Sequence, residues 1–436
     1  MSREYRKKRG RRPNPRQGSP KQGGRAGSRA SRSKSETPVL HDPMAVDGIV
    51  VNGYSERWLR RGFPWVYNEE VVGRTGKLSP GRVVSIRSRN GSVLGTGIWD
   101  QGKIEVRRFR ADAGPIDAQL LYKRIAAARD RRPLPPDTNA WRWVHGENDD
   151  LPGIRVDVWA TQIGLVLDSP SLVPLLEPIL QALDDNAPDL KAVWLSYRVS
   201  DGEEARYADL PQGLVWGDAD QTPLKVRERG VYANVQPWVG HDVGLYCDMR
   251  DLRTWLEPHW RGKRVLNTFA HTGMFSVVAA VHGAREVVSV DLSDRYLERA
   301  QENFRLNEVD PQRHGFDARD TFKSLDARRR KGDEYDIVIA DPPSFSHGPD
   351  GRWSAGKDLA RLVAACCRVL APGGWLVVAS NQGKVSPKEF LQQIQQGSHK
   401  AGRPLRLLHE GSTPVDFPAS LNFPESRYLK AWVLGG

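Results

Sequence analysis

The chain has 436 residues, 39% of them hydrophobic, which is enough to bury a sizeable core and suits two or three domains. This composition excludes disorder throughout, and three cysteines are too few for a disulfide framework or a cysteine-rich zinc site, so no metal is predicted. No apolar run approaches the roughly 20 residues that cross a bilayer, and no hydrophobic signal segment opens the sequence. We therefore expect a cytoplasmic protein without a membrane partner.

The net charge of +12 is concentrated at the N-terminal end. Residues 1–35 contain 13 Lys and Arg residues and one acidic residue, Glu4, whereas residues 36–436 contain 52 basic and 52 acidic residues. Residues 1–45 hold almost no apolar side chains, so we expect a disordered basic tail. A flexible cationic arm suits a phosphate-bearing partner such as RNA, and a solvated tail without a specific partner is the alternative.

Residues 46–115 are predicted to form a small β-barrel, because short β-prone runs alternate there with glycine turns. The runs are 48–51, 81–86, 95–99 and 104–109. Asn90-Gly91 lies between two of them and is typical of a hairpin turn.

Residues 116–235 are predicted to form a middle α+β domain. Leu121, Ile125 and Ala128 would lie on one side of a helix over 116–131. Strands are predicted at 154–159 and 163–167, and a second helix over 172–183.

Residues 236–436 alternate between strand and helix patterns, which predicts an α/β fold with a doubly wound parallel sheet covered by helices. Strands are expected at 264–267, 287–291, 336–341 and 375–380, and helices at 274–281, from Ser293 onward, and over 359–370, where Pro372-Gly373-Gly374 would end the helix and turn into the last strand.

Polar residues end these strands, and ligands of open α/β sheets bind at the carboxyl ends of the strands. The residues are Asn267, Asp291, Asp341 and Ser380-Asn381. Gly273 stands alone in the turn after the first strand, so the glycine-rich loop that binds a dinucleotide pyrophosphate is missing. Asp291 is suited to bind ribose hydroxyls. This pattern favours a nucleoside cofactor without phosphates such as S-adenosylmethionine, and NAD fits it less well.

Asp341-Pro342-Pro343-Ser344-Phe345 is the most specific short motif in the chain. The two prolines remove N–H donors and restrict φ, so the carbonyl groups after Asp341 would form a rigid row of acceptors. Such a row can bind the polar edge of a planar base, and Phe345 could stack on it.

With these motifs the chain resembles the class I S-adenosylmethionine-dependent methyltransferases, and within them the bacterial large-subunit ribosomal RNA methyltransferases of the RlmI and RlmK type. The similar segments are 61–67, 146–153, 244–250, 265–273, 288–293, 320–322 and 341–345. The resemblance covers about residues 50–436. It implies a PUA-like RNA-binding barrel, a central domain and a Rossmann-like methyltransferase domain.

The resemblance also implies roles for individual residues. The cofactor-binding residues would be Asp248, Arg250, Asn267, Phe269, Thr272, Gly273, Asp291, Leu292, Asp320, Thr321, Phe322 and Asp341. The residues that present the substrate base would be Asp341, Pro342, Pro343, Ser344, Phe345 and Asn381. The implied partner is 23S ribosomal RNA or its large-subunit precursor. A homodimer and any role of His271 or His347 stay open.

The RlmI-type enzymes make 5-methylcytosine, which requires a cysteine thiolate that adds to carbon-6 of the base. Their cysteine follows the strand that corresponds to 375–380, where this sequence has Asn381. We interpret Cys247, Cys366 and Cys367 as packing residues. The sequence therefore favours methylation of a base nitrogen, guanine N7, as in the RlmK type. A cytosine-C5 enzyme and a non-catalytic RNA-binding assembly factor are the alternatives.

Overall fold

The computed structural model describes residues 47–198, 207–240, 242–348 and 351–436. The predicted basic tail, residues 1–45, lies outside the described residues. Within the described part, no helix is both long and apolar enough to cross a membrane. The same residues contain no group of three or more His, Cys, Asp or Glu side chains arranged to hold a metal ion.

Six short strands and one helix make up the N-terminal sheet. They are β1 (Gly48–Val51), α1 (Gly53–Arg60), β2 (Trp65–Tyr67), β3 (Val71–Thr75), β4 (Val83–Arg87), β5 (Val93–Trp99) and β6 (Ile104–Arg110), and the strand order is β2-β6-β5-β4-β1-β3. The four predicted strands are confirmed, and Asn90-Gly91 turns the chain between antiparallel β4 and β5. Helix α1 and strands β2 and β3 are not among the predicted elements. Helix α1 is mostly polar and depends on its N-cap, Asn52, so apolar periodicity does not indicate it.

The central sheet has five strands with two helices against it. Its elements are α2 (Ala118–Asp130), β7 (Ala140–His145), β8 (Ile154–Trp159), β9 (Gln162–Leu167), α3 (Leu176–Asn186), β10 (Ala192–Tyr197) and β11 (Gly213–Gly217), in the order β11-β10-β9-β8-β7. Leu121, Ile125 and Ala128 of α2 are fully buried in the core of this sheet, as the helical periodicity predicts.

A hairpin of β12 (Leu224–Glu228) and β13 (Val231–Val235) follows the central sheet. Its apolar side chains, among them Val226 and Ala233, pack in the same core as Val265 of β14 and Val277 of α5. The hairpin therefore packs with the C-terminal part of the chain, and the predicted boundary at residue 235 stays a prediction.

The C-terminal sheet has seven strands in the order β16-β15-β14-β17-β20-β22-β21. In chain order the elements are α4 (Arg250–Leu256), β14 (Arg264–Thr268), α5 (Met274–Val281), β15 (Glu286–Asp291), α6 (Asp294–Leu306), β16 (Gly315–Ala318), α7 (Thr321–Lys331), β17 (Tyr335–Ala340), β18 (Phe345–Gly348), β19 (Gly351–Ser354), α8 (Ala355–Cys367), β20 (Leu370–Ser380), α9 (Pro387–Lys400), β21 (Arg406–Gly411) and β22 (Lys430–Gly435). Strands β18 and β19 form a separate hairpin.

Two features of this sheet differ from the prediction. The pairs β20–β22 and β22–β21 are antiparallel, so only the first five strands form the predicted parallel sheet. Helix α8 ends at Cys367, and residues 372–374 lie inside β20, where the register against β17 shifts and Gly373 has φ +68°. A left-handed glycine can bend a strand without ending it, and local sequence does not distinguish the two outcomes.

Candidate active site

Three polar side chains at the ends of neighbouring strands line one cavity. Strands β15, β14, β17 and β20 lie side by side and run parallel, so their carboxyl ends meet at one edge of the sheet. Asp291 ends β15, Asp341 follows β17 and Asn381 follows β20, and all three line a first cavity of about 720 Å³. The sequence predicts this meeting of strand ends, and the structure shows it.

The turn after β14 is held in place by Asp291. Its Oδ2 accepts a hydrogen bond from the backbone N–H of His271 at 2.8 Å, and its Oδ1 accepts one from the N–H of Ser293 at 3.0 Å. Gly273 precedes α5 at φ +76°, and a Cβ there would lie 2.7 Å from the Cβ of Ala300, so only glycine fits. Asp291 therefore lines the cavity and also fixes the turn beside it.

A recess of about 50 Å³ adjoins the first cavity and shares Tyr246 and Asp341 with it. Asn267 and Thr272 line this recess. The amide of Asn267 donates to Oγ of Ser276 at 2.9 Å, and the hydroxyl of Thr272 donates to the carbonyl oxygen of Gly244 at 2.6 Å. Both residues therefore shape the recess through bonds inside the protein.

The opposite part of the first cavity is formed by the start of α7 and by Leu292 and Phe269. The side chain of Asp320 caps α7 by accepting the N–H of Lys323 at 3.0 Å. The guanidinium of Arg361 lies 4.0 Å from the ring centroid of Phe322, which fixes that ring by a cation–π contact. Thr321 completes this wall and is 5% exposed.

Pro342 and Pro343 line the first cavity directly after Asp341. Burial raises the pKa of the Asp341 carboxyl group to about 7, and the nearby Asp248 carboxylate adds to the rise. The Ser344 hydroxyl donates to Oδ1 of Asn381 at 2.7 Å, which joins the proline motif to the end of β20. The side chains of Phe345 and His347 lie outside the described part of the chain.

Several cavity residues were not assigned from the sequence. Tyr246, Met249, Tyr296 and Trp353 line the first cavity, as does His271, whose role the sequence left open. These residues come from separate segments and share no spacing pattern. Tyr246 and Met249 lie in segment 244–250 and His271 in segment 265–273, both of which the resemblance marks, whereas Tyr296 and Trp353 lie outside every marked segment.

Asp242 connects the segment before α4 to the cavity. Its Oδ1 lies 2.6 Å from Nε2 of His271, and its Oδ2 accepts the hydroxyl of Tyr296. Burial opposes ionisation of Asp242, but the bonds from His271 and Tyr296 outweigh it and lower the pKa of the carboxyl group. The pair with Asp242 holds the His271 ring beside the cavity.

Among the described residues, Arg250 lines neither the first cavity, nor the recess, nor the second cavity described below. Its side chain is 1% exposed, and Nη1 donates to Oδ1 of Asp416 at 2.8 Å while Nη2 donates to the carbonyl oxygen of Ala140 at 2.8 Å. Oε2 of Glu228 lies 3.5 Å from Nε of Arg250, and the Glu228 carboxylate is also paired with Arg253. The structure places Arg250 in a buried ionic network between the central and C-terminal sheets.

A second cavity of about 610 Å³ lies against the first, and Tyr246, Asp248 and Asn381 line both. Its walls come from all three sheets, with Trp65 from the N-terminal one and Glu147 from the turn after β7. The hydroxyl of Tyr428 donates to Oδ2 of Asp248 at 2.8 Å where the two cavities meet. Ser344 lines the second cavity beside Asn381.

All three cysteines are buried. Cys366 and Cys367 pack in the core on one face of the C-terminal sheet. Cys247 lies in the wall of the second cavity, where its thiol donates to the carbonyl oxygen of Ala140 at 3.6 Å. Burial raises the pKa of the Cys247 thiol far above its ordinary value, so the thiolate is strongly disfavoured there.

The residues of the first cavity fit an adenosyl sulfonium cofactor. The Asp291 carboxylate can accept ribose hydroxyls, the wall of Phe322 and Phe269 can hold a planar base, and Asp341 and Asp248 provide negative charge for a sulfonium. The recess beside Asp341 offers space next to the sulfonium end.

Comparison with known proteins agrees with this fit. Residues 217–422 match the family described as S-adenosylmethionine-dependent methyltransferase, and residues 49–110 match a PUA-like domain. In solved structures, a protein described as a SAM-dependent methyltransferase from Streptococcus mutans has a TM-score of 0.78 at 23% identity and covers 89% of this chain and 100% of its own. A methyltransferase complexed with SAH has a TM-score of 0.80 at the same identity and coverage. These likenesses show the fold.

Curated relatives match most of this chain. The "Ribosomal RNA large subunit methyltransferase I" of Erwinia tasmaniensis is 31% identical over 399 residues, which are 89% of this chain and 99% of that protein. The protein of the same name from Salmonella arizonae is 31% identical over 389 residues, 88% of this chain and 96% of its own. The chain is thus an S-adenosylmethionine-dependent methyltransferase and belongs to the family that contains the ribosomal RNA large subunit methyltransferase I proteins.

Proposed function

We propose that this enzyme methylates a base of large-subunit ribosomal RNA, 23S RNA, at a nitrogen atom, with guanine N7 favoured, and without a covalent cysteine intermediate. The names of the relatives and the PUA-like domain support an RNA substrate. The proposal that a nitrogen atom is methylated depends on the side chains at the junction of the two cavities. Asp248, Asn381 and Ser344 surround it, and no thiolate is available.

When bound, S-adenosylmethionine supplies a methyl group on a positively charged sulfur atom. Positive charge passes to the base as the methyl group is transferred, and guanine N7 has a lone pair that can receive it directly. The acidic groups Asp341 and Asp248 stabilise positive charge at the junction. The Asn381 amide oxygen accepts from Ser344, which leaves its NH₂ group to donate to O6 beside guanine N7. The Pro343 carbonyl is fixed by a bond from Trp353 at 2.8 Å, which holds the proline motif rigid beside the base.

Methylation at cytosine C5 would require a thiolate at the base, because carbon-5 becomes nucleophilic only after addition at carbon-6. Cys247 is the only cysteine of the three that borders a cavity, and its protonated thiol already bonds to Ala140. Cys366 and Cys367 are 0% and 2% exposed in a core. These environments support a reaction without covalent catalysis.

Mass spectrometry of nucleosides tests the proposal. Unmodified large-subunit RNA would be incubated with the full chain and methyl-labelled cofactor, digested and analysed. We expect labelled 7-methylguanosine. Labelled 5-methylcytidine would contradict the proposed atom, and no label on any nucleoside would favour the non-catalytic alternative. The variant C247S should give the same labelled product at a similar rate, whereas a cysteine-dependent reaction would be abolished.

A further inference from the structure

The second cavity is lined by several acidic groups that neither the cofactor nor the mechanism uses, and Glu147 is one of them. Glu147 lies in the turn 146–153 after β7 and lines this cavity together with Trp65. The two residues belong to the two segments, 61–67 and 146–153, that the resemblance marks without giving them a chemical role. We propose, resting on the proposed RNA methylation, that Glu147 reads the Watson–Crick edge of a guanine in the second cavity and so determines base specificity.

Glu147 is held firmly by one of its two oxygen atoms. Oε1 accepts the indole N–H of Trp65 at 2.8 Å and the backbone N–H of Gly153 at 3.1 Å. Gly153 has φ +75°, and a Cβ there would lie 2.9 Å from both Arg107 and Leu172, so the turn depends on glycine at this position. No donor from another described residue bonds to Oε2, which leaves one carboxylate oxygen for a ligand.

The other acids of the cavity are engaged in different ways. Both oxygens of Asp157 accept from Arg142, at 2.8 and 3.0 Å. Asp168 accepts from Arg155, and Asp248 accepts from Tyr428. Among Glu147, Asp157 and Asp168, the acids of the central-sheet wall, Glu147 is the one that holds two N–H donors on one oxygen and keeps the other oxygen for a further donor.

The aromatic residues around Glu147 suit a planar base. The ring centroids of Trp65 and Phe423 lie 4.7 Å apart at 75°, and Phe417 and Tyr428 also line the cavity. A cavity of about 610 Å³ falls within the range of sites that bind small ligands. Base stacking on aromatic rings contributes affinity without selecting a base, so selection has to come from the polar groups.

A carboxylate selects guanine by its hydrogen-bonding pattern. Guanine presents two adjacent donors, N1–H and the 2-amino group, on its Watson–Crick edge, and a carboxylate has only acceptors. Adenine and cytosine place a ring acceptor beside their amino group, so a carboxylate would face an unpaired acceptor there. Guanine N7 lies on the opposite edge of the base. Binding of the Watson–Crick edge by the central-sheet wall therefore leaves N7 free for the wall that carries Asp341 and Asn381.

Nucleotide binding tests this inference independently of methyl transfer. The full chain, saturated with S-adenosylhomocysteine, would be titrated with guanosine, inosine and cytidine 5′-monophosphates by saturation-transfer NMR. Inosine lacks only the 2-amino group. We expect the wild type to bind the guanosine nucleotide about tenfold more tightly than the other two. The variant E147Q should reduce the guanosine-to-inosine ratio to near one, because one acceptor becomes an NH₂ donor.

The variant E425Q is the matched control, because Glu425 lies exposed in the same cavity wall and loses the same charge. It should keep the guanosine preference. Equal binding of the three nucleotides by the wild type, or an intact preference in E147Q, would overturn the inference. Unchanged affinity of E147Q for S-adenosylhomocysteine verifies folding. Nucleoside mass spectrometry reports separately on the proposed function. If 7-methylguanosine forms but Glu147 does not discriminate between the nucleotides, only this inference is refuted. Labelled 5-methylcytidine refutes the proposed function and, with it, the role of Glu147 in selecting the methylated base.

Discussion

The indole Nε1 of Trp353 donates a hydrogen bond to the carbonyl oxygen of Pro343 at 2.8 Å. Trp353 is 7% exposed, and its ring centroid lies 5.9 Å from that of Phe269 and 6.1 Å from that of Phe322. One side chain therefore connects the proline motif, where we place the substrate base, to the wall that we assign to the cofactor base. The two sites share a rigid element.

Replacing Trp353 with phenylalanine should slow methyl transfer more than it weakens cofactor binding. The variant W353F keeps an aromatic ring but loses the bond to Pro343, a net loss of about 1 kcal/mol, or about fivefold in kcat. W432F is the control, because buried Trp432 has no described partner for its Nε1. Steady-state kinetics and calorimetry of cofactor binding measure both effects. Equal losses of kcat in the two variants would contradict a role for the bond.

The variant D291N should bind S-adenosylhomocysteine more weakly by about 1–3 kcal/mol, the usual loss for a hydrogen bond that involves a charged group. The amide replaces one acceptor oxygen, and Asp291 needs both for the N–H groups of His271 and Ser293. D294N removes the same charge three residues later, on the exposed first turn of α6, and should bind normally. Calorimetric affinity of D291N equal to that of the wild type would refute the role of Asp291.

Affinity for S-adenosylmethionine should rise with pH. The Asp341 carboxyl group, with its pKa near 7, is protonated and neutral in acid, and the sulfonium cation stabilises its ionised form. We expect affinity to increase about fivefold from pH 6 to pH 8, whereas S-adenosylhomocysteine, which lacks the charge, should bind with little pH dependence. Calorimetry with D341N should give a flat profile, and D326N, altered at the cavity rim, should keep the rise. A pH dependence retained by D341N would assign the titration to another group.

The resemblance implies that Arg250 binds the cofactor, whereas in the structure its side chain is paired with Asp416. Breaking a buried ion pair leaves a charge uncompensated and typically costs about 3–5 kcal/mol of stability. R250M and D416N should therefore lower the thermal unfolding midpoint similarly and change cofactor affinity similarly. R329M, which breaks an exposed pair with Asp326, should barely change the midpoint. A cofactor affinity lost only in R250M would support direct contact.

Deletion of residues 1–40 should weaken RNA binding and reduce its salt dependence, because the basic tail would release counterions from phosphates. Binding of S-adenosylhomocysteine should not change. RNA affinity measured at several salt concentrations gives the slope for the full and shortened chains. The same slope for both would make the tail a solvated segment without a role in RNA binding.

The strand ends were predictable because each carries a local signal. Asp291, Asp341 and Asn381 all follow an apolar run, and parallel strands bring such positions to one edge. Trp353 and Tyr296 have no such signal, since their place in the cavity depends on a hairpin and a helix face that pack there. Strands β21 and β22 were missed because an antiparallel edge pair has no alternating helix to mark it.

The sequence by itself determined the class of protein, because the apolar periodicity, each strand-end acid and the proline motif are all local patterns within short segments. The sequence likewise determined that Asn381, and not a cysteine, follows strand β20. Only the tertiary structure decided that Arg250 pairs with Asp416 across 166 positions, and that Trp65 meets Glu147 across 82. Long-range pairs depend on how three sheets pack, and no local pattern of residues encodes that packing.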